Sequence, residues 1–182
     1  SVLGFEIEHN TSEAIFELSD TIKNVSPERI YAELKKLLLG KNAQNVIDKY
    51  NGILKAVIPI KSGNHNIASL PLDFPMRLTE LCGSAVNEAL VFLRADNPTK
   101  HVCRILMQST PIPEDTIELK HYISRLGRED AKLVIAYRRS LYNEDDGNKA
   151  EKLLTDGTCL FISDLAVDGN DLLKIGITGK TI

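Results

Sequence analysis

Apolar positions recur along this chain with helical spacing almost from end to end. Asn10 with Glu13 three residues on has the form of a capping box. Ala14, Ile15, Leu18 and Ile22 then fall on one helical face. Ser26-Pro27-Glu28 reads as a second helix start, with a serine cap, proline at the first helical position and an acid in the first turn. Its buried stripe is Ile30, Leu34, Leu37 and Leu38, and Gly40 closes it. Asn42 opens a third helix through Val46, Ile47 and Tyr50, expected to stop at Asn51-Gly52. Residues 53–60 are apolar and β-branched. With no partner strand nearby, they are read as a helical turn ending before Pro59.

Residues 61–71 read as a loop, long for a compact domain. Asp73 precedes a helix through Met76, Leu78 and Leu81 that breaks near Gly83, and Ser84 begins the next, through Val86, Leu90, Val91 and Leu93. Asn97-Pro98 opens a helix with Val102, Ile105 and Leu106, and Thr110 to Pro113 is a connector. Helices at about 114–125 and 128–142 are split by Gly127. A polar turn over 143–147 leads to a helix near 148–155, and Gly169-Asn170-Asp171 opens a short last helix before Gly176. The expectation is an all-α protein, a multi-helix bundle-like array with short connections.

Composition changes this picture little. With 43% hydrophobic and 26% charged residues, the 182-residue chain is neither disordered nor fibrous. A net charge of -3 excludes a global basic field, though local basic faces remain open. No apolar run approaches the roughly 18 residues needed to span a membrane, so no membrane partner is expected. Cys82, Cys103 and Cys159 form no zinc or disulfide pattern, and reduced thiols in a cytoplasmic protein are expected.

Candidate chemistry is sparse. His9, His65, His101 and His121 show no metal-ligand spacing, so no metal site is expected. Gly176 to Gly179-Lys180 is too short for a phosphate loop, and Glu144-Asp145-Asp146 reads as a solvated turn. Glu28, Arg29 and Glu33 form Glu-Arg-x-x-x-Glu, in which Arg29 and Glu33 are i,i+4 neighbours able to pair. Basic residues cluster as Lys35, Lys36 and Lys41 around one helix end, as Arg125, Arg128, Arg138 and Arg139 in the later helices, and as Lys174 and Lys180 near the end of the chain. Such groups are either solubilising decoration or phosphate contacts.

Several stretches together resemble bacterial CCA-adding tRNA nucleotidyltransferases and their poly(A) polymerase relatives. Leu3-Gly4-Phe5-Glu6-Ile7-Glu8, with Thr11, Ala14 and Ile15, is similar to the segment after that family's nucleotide-recognition helix. Val25 to Leu34, containing Glu28-Arg29 and Glu33, resembles its neck motif. Asn51-Gly52-Ile53-Leu54 with Val57-Ile58-Pro59 resembles a helix end of the same neck. Ile162 to Leu173, continued by Gly176-Ile177, Gly179-Lys180 and Ile182, resembles the start of the tail.

The resemblance implies the class II nucleotidyltransferase neck and body type, with a neck over 1–60, body helices over 61–160 and the start of a tail over 161–182. It implies tRNA as partner, its acceptor and T arms held by these clustered basic residues, and a neck helix fixed by Glu28, Arg29 and Glu33. Catalysis, CTP and ATP, and Mg2+ belong by this resemblance to a head domain preceding Ser1. The segment itself is therefore expected to hold no cofactor and to be inactive alone. Many relatives carry a His-Asp phosphohydrolase element, whereas Leu78 to Ser84 has none. The alternatives are a degenerate metal-phosphohydrolase-like helical module and a helical protein-interaction domain.

Overall fold

Several helix starts in this protein are set by acidic side chains, Glu8, Asp73, Asp96, Asp115 and Asp168, that reach the first free backbone N–H groups. In the computed structural model, which describes residues 7–143 and 146–176, the Glu8 carboxylate accepts from Asn10 N and Thr11 N at 3.1 and 3.0 Å. Helix α1 (His9–Glu17) thus begins before Asn10, the expected cap. An ionised acceptor makes the stronger bond to these donors. The helix also ends early. Thr21 Oγ1 donates to Leu18 O at 2.6 Å, and Ser19–Asn24 tightens into a 3-10 turn that carries Ile22.

Helix α2 (Pro27–Leu38) follows the sequence reading, with Ser26 as cap and Ile30, Leu34 and Leu38 buried. Helix α3 (Ala43–Val57) does not stop at Asn51-Gly52. It kinks at Tyr50 (φ -112°, ψ 22°) and resumes to Val57. Ile58 is extended, as the residue before a proline must be. Tyr50 joins α1 to α3 through its hydroxyl, 3.0 Å from Ser12 Oγ, and through stacking on Phe16.

Helix α4 (Phe74–Cys82) is central. Phe74 and Met76 through Cys82 are all buried, so no side of the helix is left to solvent. Asp73 Oδ1 caps it at Met76 N, and Gly83 ends it at φ +55°, a conformation that favours glycine. Its buried polar groups all have partners. Arg77 bonds four carbonyls, Thr79 Oγ1 donates to Pro75 O, and Glu80 receives Lys61 Nζ and Asn66 N. This satisfaction makes their burial tolerable.

The remaining elements are α5 (Val86–Phe92), α6 (Asn97–Met107), α7 (Thr116–Leu126), α8 (Arg128–Tyr142), α9 (Asp146–Thr155) and α10 (Gly169–Lys174). Asp96, rather than Asn97, caps α6 at Thr99 N. The core forms three adjoining clusters. One joins α2 and α3 to α4–α6 through Leu38, Ile47, Leu78 and Leu93. The second joins α4 and α6 to α7 and α8 through Met76, Leu106, Tyr122 and Val134. The third joins α7, α8 and α9 through Ile123, Ile135 and Leu154. The protein is an all-α array, as expected, and no strand occurs among the described residues.

Candidate nucleic-acid interface

The Glu-Arg-x-x-x-Glu segment occupies the first turns of α2. Glu28 pairs with Arg94 at 2.5 Å, tying α2 to the turn between α5 and α6, where Arg94 is left-handed at φ +50°. Backbone hydrogen bonding first, and Arg94 second, holds the Glu28 carboxyl below its ordinary pKa. Glu33 pairs with Lys36 at 2.9 Å. The i,i+4 pair Arg29–Glu33 is not formed. Glu33 turns toward the C-terminal end of α2, and both residues instead border an apolar groove of about 420 Å³. That groove lies between α2, the 3-10 turn and α3, with Ile22, Val25, Leu37 and Leu54 in its wall.

The basic residues divide by engagement. Lys35 lies over the Phe74 ring at 5.7 Å, and Lys41 is exposed beyond the end of α2. Lys36 shares this helix end but is held by Glu33. Arg125 is exposed over Tyr122. Arg128 is tied down by Asp164 at 3.0 Å, by Leu154 O and by the Phe161 ring. Arg138 is only 9% exposed, stacked over Tyr142 and donating to Ser109 O at 3.4 Å. Arg139 pairs with Glu151 and Lys174 with Asp171. Lys180 lies outside the described residues, as do Glu144 and Asp145. Lys35, Lys41 and Arg125 are therefore the candidates best placed to meet a phosphate.

A second feature was not foreseen. Gln44, Asp48, Asn51 and Lys55 stand on one face of α3 and, with Gly63, Asn64 and His65, line a polar cleft of about 660 Å³. The loop is anchored by Lys61 N to Leu81 O, by Lys61 Nζ to Glu80 and by Asn66 N to Glu80. Gln44 Oε1 accepts from Ile67 N and Ala68 N, while its Nε2 donates to both Asp48 oxygens. Asn51 Nδ2 is 3.1 Å from His65 Nε2. His65 is 7% exposed, and its Nδ1 is buried without a hydrogen-bond partner. Burial pushes the His65 pKa down, Lys61 acts the same way, and Glu80 and Asp48 pull against both. The signal in the sequence was a polar stripe at i, i+4, i+7 and i+11, Gln44, Asp48, Asn51 and Lys55, flanking the apolar face of Ala43, Ile47 and Tyr50.

Among the described residues no group of three or more His, Cys, Asp or Glu side chains is placed to hold a metal ion. No described helix is long and apolar enough to cross a membrane.

Residues 4–60, which contain α1, α2 and α3, match the model of a family described as "Probable RNA and SrmB- binding site of polymerase A". This stretch is similar to an RNA-binding region related to poly(A) polymerases and CCA-adding enzymes. No curated protein and no solved structure matches the chain significantly.

Proposed function

We propose that this chain is the RNA-binding neck, body and tail start of a template-independent nucleotidyltransferase, of the CCA-adding or poly(A)-adding kind. The observation that carries the reading is the match of residues 4–60 to a polymerase A RNA-binding region. In this reading the neck spans 1–60, the body 61–160 and the tail start 161–182. The array acts in the cytoplasm and holds the acceptor and T arms of tRNA by shape. A-form RNA is recognised mainly through phosphates and 2′-hydroxyls, which suits exposed cations on a rigid helical scaffold. Lys35, Lys41 and Arg125 supply such cations. Magnesium, CTP and ATP would engage a catalytic head domain of the whole enzyme, not the residues described here.

Filter binding of a tRNA lacking its CCA end, across a salt series, tests the reading. Each duplex phosphate neutralised contributes a slope of about -0.9 in log affinity against log salt. Affinity should fall as salt rises, and Lys35→Glu combined with Lys41→Glu should weaken it at every salt concentration. Absence of binding at low salt would overturn the reading. Incubation with magnesium, CTP and ATP should give no extension of the tRNA by this chain alone.

The apolar groove between α2 and α3 favours a second reading, a surface for protein, because its wall is mainly apolar, with one cation, Arg29, and one acid, Glu33. The family description names SrmB beside RNA. An amphipathic helix with an acid opposite Arg29 and a base opposite Glu33 fits this groove. Leu54→Glu should abolish such docking and leave RNA affinity unchanged.

A further inference from the structure

We propose that the polar cleft between α3 and the loop at residues 61–66 is a subsite for one ribonucleotide of a bound single-stranded RNA. The inference rests on the RNA-binding reading and deepens it. Four of the lining residues, Gln44, Asp48, Asn51 and Lys55, lie within the stretch that matches the polymerase A RNA-binding region.

The unused hydrogen-bonding capacity of the cleft sets the ligand class. Lys55 makes no ion pair among the described residues, although most of the basic candidates named from sequence are held by an acid, a ring or a carbonyl. Asn51 is tied only through Nδ2 to the buried His65, which fixes its amide plane and leaves Oδ1 unused. The Asn64 side chain has no protein hydrogen bond among the described residues and enters the cleft from the opposite wall. Asp48 receives only the Gln44 amide, so both its oxygens keep accepting capacity. The cleft thus offers two amides, one carboxylate and one ammonium.

A nucleotide uses each of these. Asn side chains present the paired donor and acceptor that a base edge requires. A carboxylate accepts from ribose hydroxyls, as acidic residues do in dinucleotide sites. The ammonium meets the phosphate. A free phosphate would be poorly served, because the only cation shares the cleft with Asp48. An apolar peptide face would find no apolar wall. Gly63, at φ +93° with open space where a Cβ would stand, lets the loop backbone approach a ligand closely. The neutral His65 beneath Asn51 adds no charge that would disturb base reading.

The test measures fluorescence anisotropy of the full chain with a short single-stranded oligoadenylate and with its deoxyribose counterpart. Wild type should bind the ribo-oligomer more tightly. Lys55→Ala should weaken binding about tenfold and reduce the salt slope by about 0.7, the value for one phosphate of a single strand. Asp48→Ala should remove the preference for ribose, a change that lost electrostatics alone would not produce, since deleting an acid favours a polyanion. Asn64→Ala should weaken both oligomers. These three side chains are exposed, so the fold is retained, which an unchanged melting temperature verifies. Wild type binding RNA while all three variants bind equally well would overturn the subsite and leave the RNA reading standing. Wild type binding neither oligoadenylate nor tRNA would overturn both.

Discussion

The Arg77 guanidinium, on the central helix α4, donates from Nη1 to the Leu38 carbonyl at 2.7 Å and so closes the C-terminal end of α2. The same fork reaches Gly40 O, Leu70 O and Pro71 O. One 5%-exposed side chain therefore satisfies orphan carbonyls at a helix end and fixes the loop that leads into α4. Among the described residues no acid pairs with it. The compensating charge is the negative end of the α2 dipole together with the loop carbonyls.

Arg77→Ala should destabilise the protein by about 3 kcal/mol or more, because several buried acceptors lose their donor at once. Arg77→Lys should recover only part of this, since an ammonium cannot reproduce the planar fork. Urea unfolding monitored by circular dichroism measures both. Near-wild-type stability of Arg77→Ala would mean that water replaces the fork.

Tyr50→Phe removes the hydroxyl that meets the buried Ser12 while keeping the ring on Phe16. A stability loss of about 1 kcal/mol is expected. It should be concentrated in α1, whose backbone amides should lose hydrogen-exchange protection before those of α4 do. Uniform loss across the chain would show that α1 is not a separately opening unit.

His65 makes stability depend on pH. Its folded pKa is depressed, by burial first and Lys61 second, against Glu80 and Asp48. The folded state then binds its proton less readily than the unfolded chain. The stabilising contribution is full above the ordinary value of 6.5 and is lost as pH falls below it toward the depressed folded value. The melting temperature should therefore drop on acidification through this window, and His65→Gln should flatten the drop. An unchanged profile in His65→Gln would assign the dependence to the carboxylates.

The three thiols should differ in reactivity. Burial pushes the Cys82 pKa up to about 12 and the Cys103 pKa up to about 11, so neither forms thiolate near neutral pH. Cys159 is exposed. A chromogenic disulfide reagent should label Cys159 alone in the native protein and all three thiols after unfolding. Rapid native labelling of Cys82 or Cys103 would reveal opening of the α4–α6 core.

Helix number and order were legible in the sequence because the helices are amphipathic and capped by local chemistry. Ser26-Pro27-Glu28, Asp73 and Gly127 act within a few residues of themselves, so α2, α4 and the α7–α8 break could be read directly. The resemblance in residues 1–60 was legible for the same reason, as motifs contiguous along the chain, and it agrees with the matched RNA-binding region. Helix edges were less legible where two local acceptors compete, as Glu8 and Asp96 do with their asparagine neighbours. Tertiary structure alone decided the rest. Past Asn51-Gly52, α3 continues with Leu54 and Val57 packed against the core, a contact made with residues distant in sequence. Arg94, the partner of Glu28, lies 66 residues away, and Leu38, whose carbonyl Arg77 meets at the end of α2, lies 39 residues away, beyond any spacing rule. The burial of Arg138 and the exposure of Lys35, Lys41 and Lys55 depend on which helix faces meet. The polar cleft is made by long-range bonds: Glu80, in the last turn of α4, and Leu81 O hold the loop at residues 61–66, while Asn51 and Gln44 of α3 bond His65 and the turn after it. Periodicity reports which face of a helix is apolar, but the identity of the neighbour that covers it is a long-range packing outcome, and the candidate site is built from such outcomes.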